Sequence, residues 1–127
     1  MVEHNQAIEL KTPANMESAL IVRMALSGFG MLAGLDIDLI DDLRTVTDEC
    51  FDCLMHQAFL LKEVRVFADL REGRLWCRFC AVPTETRIEG ALQDYEVTKG
   101  ILETLLPDVH LDCDENGVCC IVFSMPV

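Results

Sequence analysis

The chain has no run of apolar residues near the twenty or so that a helix needs to cross a bilayer, so no membrane span is expected. Its first residues, Met1-Val2-Glu3-His4-Asn5, have neither a basic start nor an apolar signal core, and the expectation is a cytoplasmic protein. Cations are scarce. Ten Lys and Arg stand against 22 Asp and Glu, a formal net charge of -12. Binding nucleic acid requires cations that displace counterions from phosphates, so this balance argues against it. An acidic surface suits a basic protein partner instead, or simply keeps the domain dissolved. Internal repeats, low-complexity stretches and linkers are also missing. The 127 residues, 51% of them apolar, read as a single domain spanning 1–127 with one core.

Seven cysteines are present, Cys50, Cys53, Cys77, Cys80, Cys113, Cys119 and Cys120. An odd number without a secretion signal is read first as reduced thiols, packed as small hydrophobes.

The pattern along the chain places a short strand at Ile8–Lys11, broken by Thr12-Pro13-Ala14. Asn15 is a fit N-cap for a helix over Met16–Ala33, with Glu17 meeting the dipole and Gly34 as its stop. That helix is apolar on nearly every side, which means core or an interface. Asp36 caps a second helix over about Ile37–Phe59. Along it Leu39, Leu43, Val46, Cys50, Cys53 and Leu54 keep helical spacing, and Asp41, Thr45, Asp48 and Asp52 form a polar stripe. Strands follow at about Glu63–Leu70 and Arg74–Val82, joined by a Glu72-Gly73 hairpin. Pro83 should end the second, and Thr84–Leu92 reads as loop. A short helix over about Tyr95–Leu106 stops at Pro107. Strands at His110–Cys113 and Val118–Ser124 flank an Asn116-Gly117 turn signal. The order β-α-α-β-β-α-β-β predicts an α+β two-layer sandwich, a mixed β-sheet with helices on one face.

Several collinear segments resemble the anti-sigma-factor serine kinases, small members of the GHKL ATPase group. Ile8-Glu9-Leu10-Lys11-Thr12-Pro13-Ala14, then Arg23-Met24-Ala25-Leu26-Ser27-Gly28, resembles that family's opening strand and first helix. Asp41-Asp42-Leu43 through Asp48-Glu49-Cys50 resembles the second helix, which carries its N box. Gly100-Ile101-Leu102-Glu103-Thr104-Leu105-Leu106 resembles its last helix. The resemblance covers residues 8–124, with 84–94 poorly matched. It implies the histidine-kinase-like ATPase fold.

It also implies where nucleotide chemistry would sit. The N box pairs a basic Glu with a magnesium-binding Asn four positions on. Here Glu49 matches the Glu, and Cys53 stands at the Asn position. An Asp-x-Gly normally reads the adenine; the matching positions hold Ala81 and Pro83. A Gly-x-Gly normally surrounds the phosphates; those positions hold Glu96 and Thr98. A thiol is a poor magnesium ligand, alanine accepts no hydrogen bond, and proline cannot take a positive φ. The resemblance thus implies a degenerate member with impaired or lost ATP binding and no cofactor. Its partner would be a sigma factor or an anti-anti-sigma protein, and the first helix would be core or, since related anti-sigma factors pair through this domain, a homodimer face. The alternative is an active ATP-dependent serine kinase using ATP and magnesium with Glu49 as base.

Other groupings point to a cysteine metal or redox sensor as a third reading. Cys50-x-x-Cys53 and Cys77-x-x-Cys80 have the spacing of zinc half-sites, but one falls in a helix and the other in a strand. Cys113, Cys119 and Cys120 flank the last hairpin and would form a redox pair if two faced each other across it. A Cys53–His56 nucleophile arrangement can be drawn. His4 and His110 read as surface residues, and Asp36, Asp38, Asp41 and Asp42 crowd one helix start.

Overall fold

The computed structural model describes residues 6–89 and 95–127. The elements are β1 (Gln6–Pro13), α1 (Met16–Ala33), α2 (Ile37–Met55), β2 (Phe59–Arg71), β3 (Arg74–Arg87), α3 (Tyr95–Leu105), β4 (Asp108–Asp114) and β5 (Gly117–Pro126). This is the element order expected from the sequence. His4 lies outside the described residues, as do residues 90–92 of the expected loop.

Local chemistry sets the helix ends. Asn15 Oδ1 accepts from the Ser18 amide at 2.8 Å, and Asp36 Oδ1 accepts from the Asp38 amide at 2.8 Å. Gly34 closes α1 at φ 87°, where its amide reaches back to Met31 and Gly30 carbonyls. The end of α2 differs from the expectation. It stops at Met55, four residues short of Phe59, because Gln57 folds back and donates from Nε2 to the Cys53 carbonyl at 2.7 Å. A side-chain cap of that kind leaves no trace in periodicity. Phe59 begins β2 instead.

The sheet order is β1-β2-β3-β5-β4, and every neighbouring pair is antiparallel. The expected mixed sheet is corrected on this point. A single helix, α3, does join β3 to β4 and makes them run parallel. β5 then folds back between them, so no two parallel strands are neighbours. The two-helix passage α1–α2 returns the chain so that β2 runs antiparallel to β1.

β3 also runs through Pro83 to Arg87, although proline was expected to end it. Pairing with β5 stops at Cys80–Cys120, so beyond that point β3 has only β2 as neighbour. The missing amide of Pro83 falls there, opposite an irregular stretch of β2 around Leu61. Thr84 Oγ1 adds a bond to the Leu60 carbonyl at 2.7 Å.

Glu72 and Gly73 make the first hairpin at φ 53° and 69°. In the second, Glu115 and Asn116 form the tip and Gly117 takes φ 114° just after it.

All three helices pack on one face of the sheet: α1 on β1 and β2, α2 on β2, β3 and β5, and α3 on β4 and on α2. Phe51 of α2 meets Phe79 of β3 edge-on at 6.1 Å, and Phe79 stacks on Phe123 of β5 at 5.9 Å. α1 is long and apolar enough, by length and composition, to cross a membrane. It nevertheless buries Val22, Leu26 and Phe29 in this core.

Candidate functional site

Helical spacing puts Cys50 and Cys53 on the buried side of α2, and Glu49 beside them half-buried. α3 is amphipathic and lays Thr98 and Leu102 against α2. Cys53 and Thr98 therefore meet, and neither has any exposed surface. Burial pushes the Cys53 thiol up to about 11, the Thr98 hydrogen bond pulls it back, and the carboxylates of Asp52 and Glu49 push it further up. Glu96 lies exposed in the first turn of α3.

Ala81 and Pro83 belong to a different place. With Gln57, Phe59, Leu61 and Cys119 they line a hollow of about 250 Å³, rimmed by Asp114 and Asn116. Its floor is held by Gln57, which is 7% exposed. The Gln57 amide donates to the Cys53 carbonyl, and its Oε1 accepts from the Val118 amide at 2.9 Å. One side chain thus ties the end of α2 to the start of β5. The site positions from the sequence consequently fall into two groups: Cys53 with Thr98 in a closed helix contact, and Ala81 with Pro83 on an open, mainly apolar hollow. Glu49 and Glu96 line neither that hollow nor its rim.

No known family and no curated protein matches this chain.

The cysteines separate by strand face. Cys77 points into the core and Cys80 to the outer face, so the two cannot share an ion. Cys50, Cys53 and Cys77 are buried. Desolvation raises Cys50 well above the usual thiol range and takes Cys77 to about 12. Among the described residues no group of three or more metal-ligating side chains comes together. Cys113 sits opposite Val118, and Asp112 opposite Cys120, so the three hairpin cysteines do not face each other.

Cys120 instead lies opposite Cys80 on β3, with Cα atoms 4.3 Å apart, and the two form a disulfide. This corrects the expectation that all seven thiols are reduced. The pair is 40 residues apart in sequence, and only the antiparallel register of β3 and β5 brings it together. Cys113 is exposed and Cys119 half-buried. Burial and the nearby Asp114 and Asp112 raise the Cys119 thiol.

His56 does not serve Cys53. Its Nδ1 lies 2.6 Å from the Asp52 carbonyl and 3.3 Å from Asp52 Oδ1. His110 is exposed and pairs with Asp112 at 2.8 Å.

Proposed function

We propose that this domain is a non-catalytic regulatory binding module of the anti-sigma type, which holds a sigma factor or an anti-anti-sigma protein and no longer uses ATP. The observation that carries the reading is the outer face of α1. Leu20, Ile21, Met24, Met31 and Leu32 are all exposed there, Met24 to 69% and Leu32 to 85%. They occupy one arc of the helix, with Gly28 near its middle. Its two charged residues barely interrupt the arc: Glu17 stands in the first turn, and Arg23 is held by Asp48 of α2 at 3.0 Å. An exposed apolar face of several hundred Å² marks an interaction site, and stable complexes bury roughly 800 Å² per partner. A second copy using the same face would give the homodimer.

The loss of ATP is supported by the residues at the motif positions. Cys53 offers magnesium a poorly suited thiol, and Thr98 covers it. Ala81 has no acceptor for an adenine amino group. Pro83 has its φ fixed by its ring. Glu96 would add a negative charge near a triphosphate, a repulsion of roughly 4 kcal/mol at 4 Å in an effective dielectric of about 20. These residues do not fit magnesium-ATP.

Two measurements test the proposal. Titration calorimetry of ATP with magnesium into the folded domain should give no saturable heat near 1 mM ligand; micromolar binding would overturn the nucleotide half. Co-expression with a candidate sigma or anti-anti-sigma protein should give a complex that Met24→Glu abolishes. A complex indifferent to Met24→Glu and Leu32→Glu would overturn the α1 half. The kinase alternative uses Glu49 as base, and phosphorylation of a partner unchanged in Glu49→Gln would exclude that role for Glu49.

A further inference from the structure

The opposite face of the sheet carries a separate chemistry. On its outward positions Arg71 lies opposite Arg74, Asp69 opposite Trp76, and Phe67 opposite Arg78. The guanidinium of Arg71 stacks 4.9 Å from the Trp76 ring centroid, and that of Arg78 stacks 4.6 Å from the Phe67 centroid. Phe67, Asp69, Arg71, Trp76 and Arg78, with Val122 of β5, shape a depression of about 320 Å³, and Arg74 stands beyond it.

Charge is out of balance here. Arg71 pairs with Asp69 at 3.4 Å. Among the described residues, Arg74 donates only to the neutral Ser124 hydroxyl, at 3.0 Å. Arg78 makes no ion pair among the described residues. Like charges directly across an antiparallel pair repel, so the Arg71–Arg74 position costs stability in the free chain. Among the described residues, only Arg71 of these three guanidiniums has a carboxylate partner, in a chain whose net charge is -12.

We propose that this outer sheet face is a second protein-docking site, and that it takes an extended acidic segment of a partner. Arg74 and Arg78 lie four residues apart on one side of β3, about 13 Å along a strand, with Trp76 between them. A segment in extended conformation with acidic residues four apart and an apolar residue midway matches that row. Its carboxylates meet Arg74 and Arg78, and its apolar side chain rests on Trp76. A long polyanion such as a nucleic acid strand fits less well. Glu9 on β1, and Asp108 and Asp112 on β4, occupy outward positions towards the two edges of the same face and repel it.

Trp76 is the single tryptophan of the chain, so its fluorescence reports on this site alone. The probe is a capped nine-residue peptide that repeats glutamate, threonine, leucine, threonine and ends in glutamate. The expected result is a saturable change in Trp76 emission, with a Kd that rises at least tenfold in Arg78→Ala and further in Arg74→Ala/Arg78→Ala. Met24→Glu, on the α1 face, should leave it unchanged. Arg78 is exposed, so its single variant keeps the test valid should loss of the Arg74–Ser124 bond unfold the double variant. No saturable change at millimolar peptide, or equal affinity in Arg78→Ala, would overturn the proposal. So would tighter binding of a single-stranded oligonucleotide of equal charge.

Discussion

Gln57 and Gly117 fit together so closely that a Cβ atom on Gly117 would run into Gln57 Oε1. Gly117 also takes φ 114°, a conformation that side chains disfavour. Gly117→Ala should therefore destabilise the domain by roughly 2 kcal/mol or more, from collision and strain together. Gln57→Leu should cost about 1–3 kcal/mol for the Val118 amide left buried without its Gln57 partner, while the Cys53 carbonyl keeps the His56 amide at 3.2 Å. Urea unfolding of both variants checks this. A wild-type midpoint in Gly117→Ala would show that the turn moves freely away from Gln57.

The Cys80–Cys120 bridge closes a 40-residue loop. Loop-closure entropy puts its contribution at about 3–4 kcal/mol, so the Cys80→Ser variant should unfold at clearly lower urea under non-reducing conditions. Alkylation of the denatured, unreduced chain should label five thiols. In the native state Cys113 should react first, and Cys50, Cys53 and Cys77 only on unfolding.

Alkali should loosen the fold through its buried thiols. Cys53 is raised to about 11 and Cys77 to about 12 from an ordinary value of 9.0, chiefly by burial. Raised folded-state values favour the folded chain while the thiols stay protonated. That contribution is complete below pH 9. It falls as the unfolded chain ionises first, and it is gone once the pH passes 11–12. Unfolding midpoints measured from pH 7 to 11 should drop above pH 9, and the drop should shrink in Cys77→Ala.

Gly28 faces open space on the exposed side of α1, where an added β-carbon would meet no atom within 4 Å. Gly28→Ala should raise stability by about 0.5–1 kcal/mol by removing backbone freedom from the unfolded chain. Thermal denaturation checks the gain. A loss would mean that Gly28 is closely covered, as it would be in a homodimer, and sedimentation of the wild-type chain would show that association directly.

Much of this architecture is legible in the sequence. Caps at Asn15 and Asp36, the stop at Gly34, and the hairpin signals at Glu72-Gly73 and Asn116-Gly117 act within a few residues. Local preference therefore states them openly. The amphipathic stripe of α2 is legible for the same reason, since a period near 3.6 reports which side meets the core.

The remaining features depend on residues distant in sequence. α2 ends at Met55 because a glutamine reaches both back to Cys53 and across to β5. Pro83 stays within β3 because β5 does not extend that far. Cys80 finds Cys120 through strand register alone. Thr98 closes over Cys53 only once α3 docks on α2. Residue type and spacing determined the elements and their order. The tertiary structure decided which thiols pair, which motif positions meet, and that arginines scattered over β2 and β3 share one face, because neighbours across a sheet are chosen by topology and not by separation along the chain.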